Sequence, residues 1–232
     1  MLTTLALSAF AAAGLAWLVA TAAGEHRTAI AARAGLLDPL LPHFAQARIA
    51  IAPDGFPTLT GRLPDRREIF VELIPDTMVV RRLPQLWLCV TLRERVERPR
   101  ASIGALARPT GAEFYSRVHD FPQRIDAPPG FEIELLMRGD GRLSGPELGR
   151  VCAVLRGILA DPHLKELAAT PRGVRIIRQA CEGERGAHLL LRQIRFGAAA
   201  LGPEIVARCI ADADLLRDAL DRCGQRAEKL SA

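Results

Sequence analysis

The sequence predicts an α+β fold, in which one N-terminal transmembrane helix precedes an antiparallel β meander with two or three packed helices. Three observations support this prediction. Residues 2–24 contain no charged side chain, whereas all Lys, Arg, Asp and Glu residues fall in 25–232. Short runs of alternating apolar and polar residues between 46 and 107 are too closely spaced for crossover helices. Helix start signals come later, near 144 and 203.

The N-terminal segment 2–24 is long enough, as a helix, to cross a hydrocarbon core of about 30 Å. A cleaved signal peptide normally begins with positive charge, and no Lys or Arg precedes this apolar run. We therefore expect a membrane anchor in contact with the lipid bilayer. Arg27 and Arg33 follow the run, which predicts an external N-terminus and a cytoplasmic domain. A periplasmic or exported domain with a cleaved signal peptide remains the alternative.

A stripe of small residues lies within this segment at a spacing of four. Such a stripe allows two helix backbones to approach closely, so it is a candidate surface for helix packing in the membrane. An alanine-rich segment also produces such stripes by chance. The residues are Ala12, Ala16, Ala20 and Gly24.

The predicted domain organisation has three parts. Residues 1–24 are the anchor, 25–45 are a juxtamembrane linker broken by two prolines, and 46–232 form a soluble α+β domain. A proline-rich connection at 108–130 is a possible sub-domain boundary. Connections of this length within a compact domain are often functional.

Period-two runs bounded by Pro, Asp and Gly predict the strands of the meander. A further run at 131–137 alternates cleanly and is typical of a half-buried strand. Two more runs, joined by the turn 182–186, predict a hairpin. The strands of the meander are predicted at 46–51, 58–63, 68–74, 77–82, 85–92 and 101–107, and those of the hairpin at 174–181 and 187–196.

Three helices are predicted in the second half of the chain. Ser144 and Glu147 have capping-box spacing and open a helix that continues to Leu159. The Asp161-Pro162 step starts a second, short helix. The last helix begins at Pro203 and ends at Gly224, a residue that favours the left-handed conformation at a helix C-terminus.

The stretch 138–147, RGDGRLSGPE, resembles three functional motifs only in part. As the second half of a calcium loop it would place Leu136 and Arg138 where the first two carboxylates are needed, so no calcium site is expected. As a dinucleotide loop it would follow a strand that is buried on both faces, whereas the strand before it has one polar face. The Arg-Gly-Asp tripeptide is expected by chance in a chain so rich in Arg and Gly. A polar turn followed by a helix cap explains the whole stretch.

Two small groups of residues are weak candidates for a functional site. Cys181 and His188 flank the predicted hairpin turn, and a thiolate beside an imidazole can serve as a nucleophile or as part of a metal site. A buried core cysteine and a solvent-facing histidine are the alternative. The second group is Tyr115, His119 and Asp120 in the connection 108–130.

Composition narrows the function only broadly. The 49% apolar content excludes intrinsic disorder, and the excess of 29 Arg over 2 Lys together with the lack of Asn indicates a GC-rich coding bias typical of a bacterial source. Aromatic residues make up 5%, too few for a stacking surface, so no nucleic-acid partner is expected. The common nucleophile, zinc and triphosphate motifs are absent, and no cofactor is predicted.

The leading functional hypothesis is a single-pass, membrane-anchored, non-catalytic interaction or assembly module. Its protein partner would bind the transmembrane helix or the soluble domain. The first alternative is a membrane-tethered enzyme or a small-ligand-binding domain that uses the loop 108–130. The second is an exported domain with a cleaved signal peptide.

Overall fold

A computed structural model describes residues 2–77, 83–186, 196 and 201–231. Side chains are described for these residues except at 2–9, 25–26, 29, 32 and 224–231 of the terminal helices. The described chain forms one large antiparallel sheet with a few helices. The helices are α1 (Leu2–Ala34), α2 (Gly145–Leu159) and α3 (Pro203–Ser231), with short 3-10 helices at Gly35–His43 and Val118–Asp120. The strands are β1 (Ala45–Ile51), β2 (Pro57–Arg62), β3 (Glu68–Asp76), β4 (Gln85–Arg93), β5 (Ile103–Ala107), β6 (Gln123–Ile125), β7 (Leu135–Gly139), β8 (Leu164–Thr170) and β9 (Gly173–Glu182).

The predicted transmembrane helix needs correction. In the described part of the chain, no helix combines the length and the apolar character that a membrane crossing requires. This finding contradicts the predicted anchor at 1–24, the single-pass membrane localisation and the cytoplasmic orientation derived from it.

The predicted linker 25–45 contains the end of α1 and the 3-10 helix Gly35–His43. Leu37 and Leu40 of that helix are fully buried in the main core. The prolines at 39 and 42 therefore lie in a segment that packs against the sheet.

All nine strands are antiparallel, in the order β1-β2-β3-β4-β9-β8-β5-β7-β6. β1 to β4 form the first part of the predicted meander, but the strand predicted at 101–107 does not continue it. The chain then leaves β4 and adds β5 beyond β8, so the hairpin of β8 and β9 sits between the two halves of the sheet. The run predicted as a strand at 131–137 pairs with β5 only over Leu135–Gly139. The predicted strands at 77–82 and 187–196 lie almost entirely outside the described residues.

The short helix predicted at Asp161-Pro162 is wrong, because a turn there leads directly into strand β8. The sequence of β8, LKELAAT, contains good helix formers. Six of its seven residues are nevertheless buried, between β5 and β9. Burial against two neighbouring strands outweighs the local helix preference, since such preferences amount to tenths of a kcal/mol per residue.

One face of the sheet is covered by α2, α3 and the 3-10 helix Gly35–His43. Val206, Cys209, Ala213, Leu216 and Leu220 recur at helical spacing on α3 and are buried against this face. The strands contribute every second residue, among them Leu86, Leu88, Val90 and Leu92 of β4. The opposite face, which we call the open face, carries no helix of more than one turn among the described residues.

Three arginines tie α3 to the sheet through aspartates on the helix. Arg67 binds Asp214 at 2.6 Å and Arg178 binds Asp212 at 2.6 Å. Arg100 binds Asp221 at 3.3 Å. The three pairs are spread along the helix, so they fix its direction as well as its position.

The predicted capping box of α2 is present. The Glu147 carboxylate accepts hydrogen bonds from the Ser144 backbone N–H at 2.9 Å and from the Ser144 hydroxyl at 2.6 Å. These hydrogen bonds lower the pKa of Glu147.

We expect Glu147→Ala to lower the free energy of unfolding by about 1 kcal/mol, because the helix start loses its reciprocal cap. Urea unfolding followed by circular dichroism measures the change. Glu132→Ala, which removes an exposed carboxylate outside any helix, is the control. Equal losses in the two variants would show that the cap does not stabilise α2.

Candidate functional site

The open face is formed by the residues of β3, β4, β9 and β8 that point away from the helices. Neighbouring strands bring Phe70, Thr91, Arg175 and Ala168 into one row across the sheet. An adjacent row contains Glu72, Cys89, Ile177 and Glu166. Charged, polar and apolar side chains are therefore mixed on this face.

Part of the open face is covered by the connection 108–130. Tyr115 is buried there against Trp87, with ring centroids 5.7 Å apart, and it shares a small apolar cluster with Cys89 and Ile177. The Trp87 indole N–H donates to the Asp76 carboxylate at 3.4 Å. This second core, on the opposite side of the sheet from the main one, holds the middle of the loop in place.

The far end of the loop rests on Gly104 of β5. A Cβ at this position would lie 2.7 Å from Cε2 of Phe121 and 3.0 Å from Cγ2 of Val118, closer than Cβ atoms normally approach. Arg138 of β7 donates from Nε to the Phe121 carbonyl at 2.6 Å. The absence of a side chain at 104 thus lets the loop lie directly on the sheet.

The start of the loop is fixed by a buried ion pair. Lys165 Nζ of β8 donates to the Glu113 carboxylate at 2.7 Å and to the Ala107 and Arg108 carbonyls at 3.0 and 2.8 Å. The carboxylate also accepts from the Thr110 N–H and hydroxyl and from the Gly111 N–H. Burial alone raises the pKa of Glu113, but these hydrogen bonds outweigh it and lower the pKa to about 2.

A second charge pair lies beneath the middle of the loop. Arg175 Nη1 donates to Glu166 Oε1 at 2.6 Å and to the Tyr115 carbonyl at 3.1 Å. The Arg117 N–H donates to the same Glu166 oxygen at 3.4 Å. The other oxygen, Glu166 Oε2, is buried and has no hydrogen-bond partner among the described residues. The loop is therefore bound to a buried carboxylate that has spare capacity to accept a hydrogen bond.

A groove of about 960 Å³ runs between the loop and the strands β3, β4, β8 and β9. Its floor includes Phe70, Thr91, Ala168 and Arg175, and its walls include Phe121 and a set of charged side chains. The volume is within the range of small-molecule sites. The charged residues of the walls are Arg93, Glu94, Arg95, Glu97, Arg117, Asp120 and Arg172, together with Glu72.

The three candidate residues of the loop occupy different environments. Tyr115 is buried under the loop, whereas His119 and Asp120 are exposed on the 3-10 helix Val118–Asp120. Only Asp120 of the three lines the groove. The loop therefore borders the groove, but the structure does not place these three side chains together as one catalytic group.

The second candidate pair is only partly described. Cys181 is half-buried in β9 and lines a separate cavity of about 670 Å³ with Asp161, His163, Glu182 and Arg208. His188 lies outside the described residues. Burial raises the pKa of the Cys181 thiol, which is the wrong direction for a nucleophile at neutral pH.

We expect slow alkylation of the cysteines in the folded protein at neutral pH. Burial raises the pKa of Cys89 to about 12 and that of Cys209 to about 11, so little thiolate forms. Iodoacetamide labelling followed by mass spectrometry compares each rate with that of the urea-unfolded chain. Labelling of Cys181 faster than in the unfolded chain would identify an activated thiol and overturn the expectation.

The stretch 138–147 forms structural contacts in the turn before α2. Asp140 accepts from the Ser102 N–H at 2.7 Å and from Arg142 Nε at 2.8 Å. Partial burial raises the pKa of Asp140, but these bonds outweigh it and the pKa is lowered. Within the described residues, no three His, Cys, Asp or Glu side chains are arranged to hold a metal ion.

Sequence reasoning missed the residues that build the site, namely Lys165, Glu166 and Arg175. The signal that could have found them is the Lys165-Glu166 pair in an otherwise apolar run, LKELAAT. Two adjacent charges within a buried segment require partners on both faces of a strand.

No protein-family model, curated protein or solved structure shows significant similarity to this chain.

Proposed function

We propose that this protein is a binding domain and that its ligand site is the groove on the open face of the sheet. The observation that carries the proposal is a cavity of about 960 Å³ walled by the loop 108–130, with the Arg175 guanidinium on its floor. Small-molecule sites typically combine a concave shape of this size with a few fixed polar groups. Arg175 is such a group, since it lines the groove and is held by the Glu166 carboxylate and the Tyr115 carbonyl.

The fixed geometry of the groove favours binding. Tyr115 packs on Trp87, and Gly104 receives Phe121, so the loop is positioned at both its middle and its end. A loop that is already ordered loses little conformational entropy when a ligand binds. The cysteines nearest the groove floor and the second cavity, Cys89 and Cys181, have raised pKa values, which does not favour covalent chemistry through a thiolate.

The test is a screen of chemically diverse small molecules by two-dimensional NMR of the full chain. We expect at least one compound class to shift the amide signals of β4, β9 and the loop. Thr91→Trp, which places a large side chain in the groove, should abolish the shifts. Thr60→Trp, on the same face but outside the groove, should retain them. A screen in which no compound shifts these signals, or in which Thr91→Trp binds normally, would contradict the proposal.

A second candidate function is assembly with a second copy of the chain through α1. Several large apolar side chains on this helix are more than half exposed, and surfaces of this kind are stabilised by burial against a protein partner. A helix that is apolar on all sides can pack against its own copy around a twofold axis. The exposed residues are Phe10, Leu15, Trp17, Leu18 and Val19.

Sedimentation of the full chain over a wide concentration range tests this candidate. We expect a dimer or larger species in the wild type, and dissociation in Leu18→Glu, because a charge on the helix surface opposes its burial. Leu215→Glu, a change at an exposed leucine of α3, is the control. A monomer at every concentration would contradict assembly through α1.

A further inference from the structure

We propose that the groove on the open face binds an organic anion, with a carboxylate or phosphate group held by arginines at its mouth. This inference rests on the proposed function of the groove as a binding site. It concerns the chemistry of the ligand, which follows from the charges and the apolar surface of the lining.

Arginine is the most frequent charged residue in the groove lining, with five side chains in contact with the cavity. Arg175 is already paired with Glu166, and Arg172 forms an exposed pair with Glu97 at 2.6 Å. The others have no carboxylate within 4.0 Å among the residues that the structure describes. These three are Arg93, Arg95 and Arg117.

The acidic residues of the lining are largely neutralised. Glu94 binds Arg100 at 2.7 Å, and Glu72 lies 3.8 Å from Arg175. Glu97 is paired with Arg172 as described above. Asp120 alone of the lining carboxylates lacks an ion-pair contact within the described chain. The lining therefore carries five arginines against four carboxylates, a surplus of one positive charge, and three of the arginines have no ion pair in the described chain, which favours an anionic ligand.

Arg175 adds a directed contact at the base of the groove. Its Nη1 atom is occupied by Glu166 and the Tyr115 carbonyl. Its Nη2 atom lies 3.8 Å from Glu72, beyond hydrogen-bond distance, and the guanidinium also contacts the Cys89 thiol. A guanidinium donates to carboxylate or phosphate oxygens in the plane of its fork.

An apolar contribution comes from Phe70 on the floor and Phe121 on the wall, both half-buried. Their rings offer surface to the carbon skeleton of a ligand, and aromatic burial contributes more than smaller side chains do. The combination of free arginines and two phenylalanines therefore fits an anion that carries an apolar or aromatic body. Inorganic phosphate would use only half of the site.

Four probes of similar size test this chemistry in NMR titrations of the full chain. They are phenyl phosphate, phenylacetate, the neutral phenylacetamide and the cationic phenethylamine. We expect both anions to bind at least about tenfold more tightly than the amide, since charge-assisted hydrogen bonds are stronger than neutral ones. The ratio of the two anion affinities distinguishes a phosphate site from a carboxylate site. High salt should weaken anion binding selectively.

The variants Arg93→Gln and Arg117→Gln should each weaken phenylacetate or phenyl phosphate binding by about tenfold while leaving phenylacetamide unchanged. Arg222→Gln, at an exposed position of α3 on the opposite side of the sheet, should change nothing. Thermal unfolding of each variant confirms that it is folded. Equal weakening by Arg222→Gln would overturn the assignment of the arginines.

The outcomes separate the two proposals. Shifts in the groove by the amide or the amine with equal or higher affinity than the anions would overturn the anion chemistry but leave the binding site in place. If no probe shifts the groove signals and the diverse screen also fails, the binding function itself is contradicted. Anion binding that shifts signals outside the groove would overturn the assigned location.

Discussion

Lys165→Met is expected to lower the free energy of unfolding by about 3–5 kcal/mol, the range for breaking a buried ion pair on one side. The Lys165 and Glu113 side chains are only 3% and 1% exposed, so the variant leaves the Glu113 carboxylate buried without its cation. The three hydrogen bonds from Thr110 and Gly111 remain and place the loss toward the lower end. Urea unfolding at neutral pH measures the change.

Two further variants define the origin of this loss. Arg62→Gln removes an exposed pair with Glu68 at 4.0 Å and should cost less than about 1 kcal/mol. The double variant Lys165→Met/Glu113→Gln should be more stable than Lys165→Met alone, because no uncompensated charge is left inside. If the double variant loses the sum of the two single losses, the pair is not coupled as the geometry indicates.

The same pair sets a pH dependence of stability. The pKa of Glu113 is about 2 in the folded chain, below its ordinary value of 4.5. A lowered carboxyl pKa stabilises the fold fully above the ordinary pKa, and this contribution is lost as the pH falls from about 4.5 toward 2. Glu113→Gln should therefore flatten the acid limb of the stability curve in this interval. An unchanged acid limb would count against the assigned pKa.

These contacts also show which parts of the fold can be predicted from sequence. The meander β1 to β4 follows from alternation and turn residues, and α2 follows from the Ser144 and Glu147 spacing, because both are local signals. Strand β8 does not follow, since its sequence favours a helix and only pairing with β5 and β9 makes it extended. The apolar run at the N-terminus predicts a membrane span, which the described helices do not support.

The candidate site, like the fold, can be predicted from the sequence only in part. The length of the connection 108–130 predicts a functional loop, and its residue Asp120 lines the groove that we propose as the binding site. The groups that hold the loop lie far away in the chain, with Lys165 52 residues from Glu113 and Glu166 49 residues from Arg117. Residue spacing alone does not reveal such pairs. They require the register of β8 against β5 and β9, which is set by burial over the whole sheet.

Arg100→Met is expected to reduce the free energy of unfolding by a similar amount, about 3–5 kcal/mol. The Arg100 side chain is fully buried and joins three elements. It donates to Glu94 after β4 at 2.7 Å, to the Thr170 carbonyl at the end of β8 at 2.9 Å, and to Asp221 of α3 at 3.3 Å. Without it, Glu94 keeps a carboxylate that is only 6% exposed and has lost its cation.

Arg172, in the turn between β8 and β9, provides a matched control for Arg100. Arg172→Gln breaks the ion pair between Arg172 and Glu97, whose side chains are 84% and 63% exposed, respectively. The free energy of unfolding should therefore fall by between 0 and about 1 kcal/mol. Arg100→Lys should lose an intermediate amount, because an ammonium group retains the charge but not the planar fork that reaches three acceptors. Hydrogen exchange should show faster opening of α3 in Arg100→Met than in Arg172→Gln, since Asp221 loses its anchor. If the two variants unfold at the same urea concentration and α3 exchanges equally in both, Arg100 does not hold the helix to the sheet.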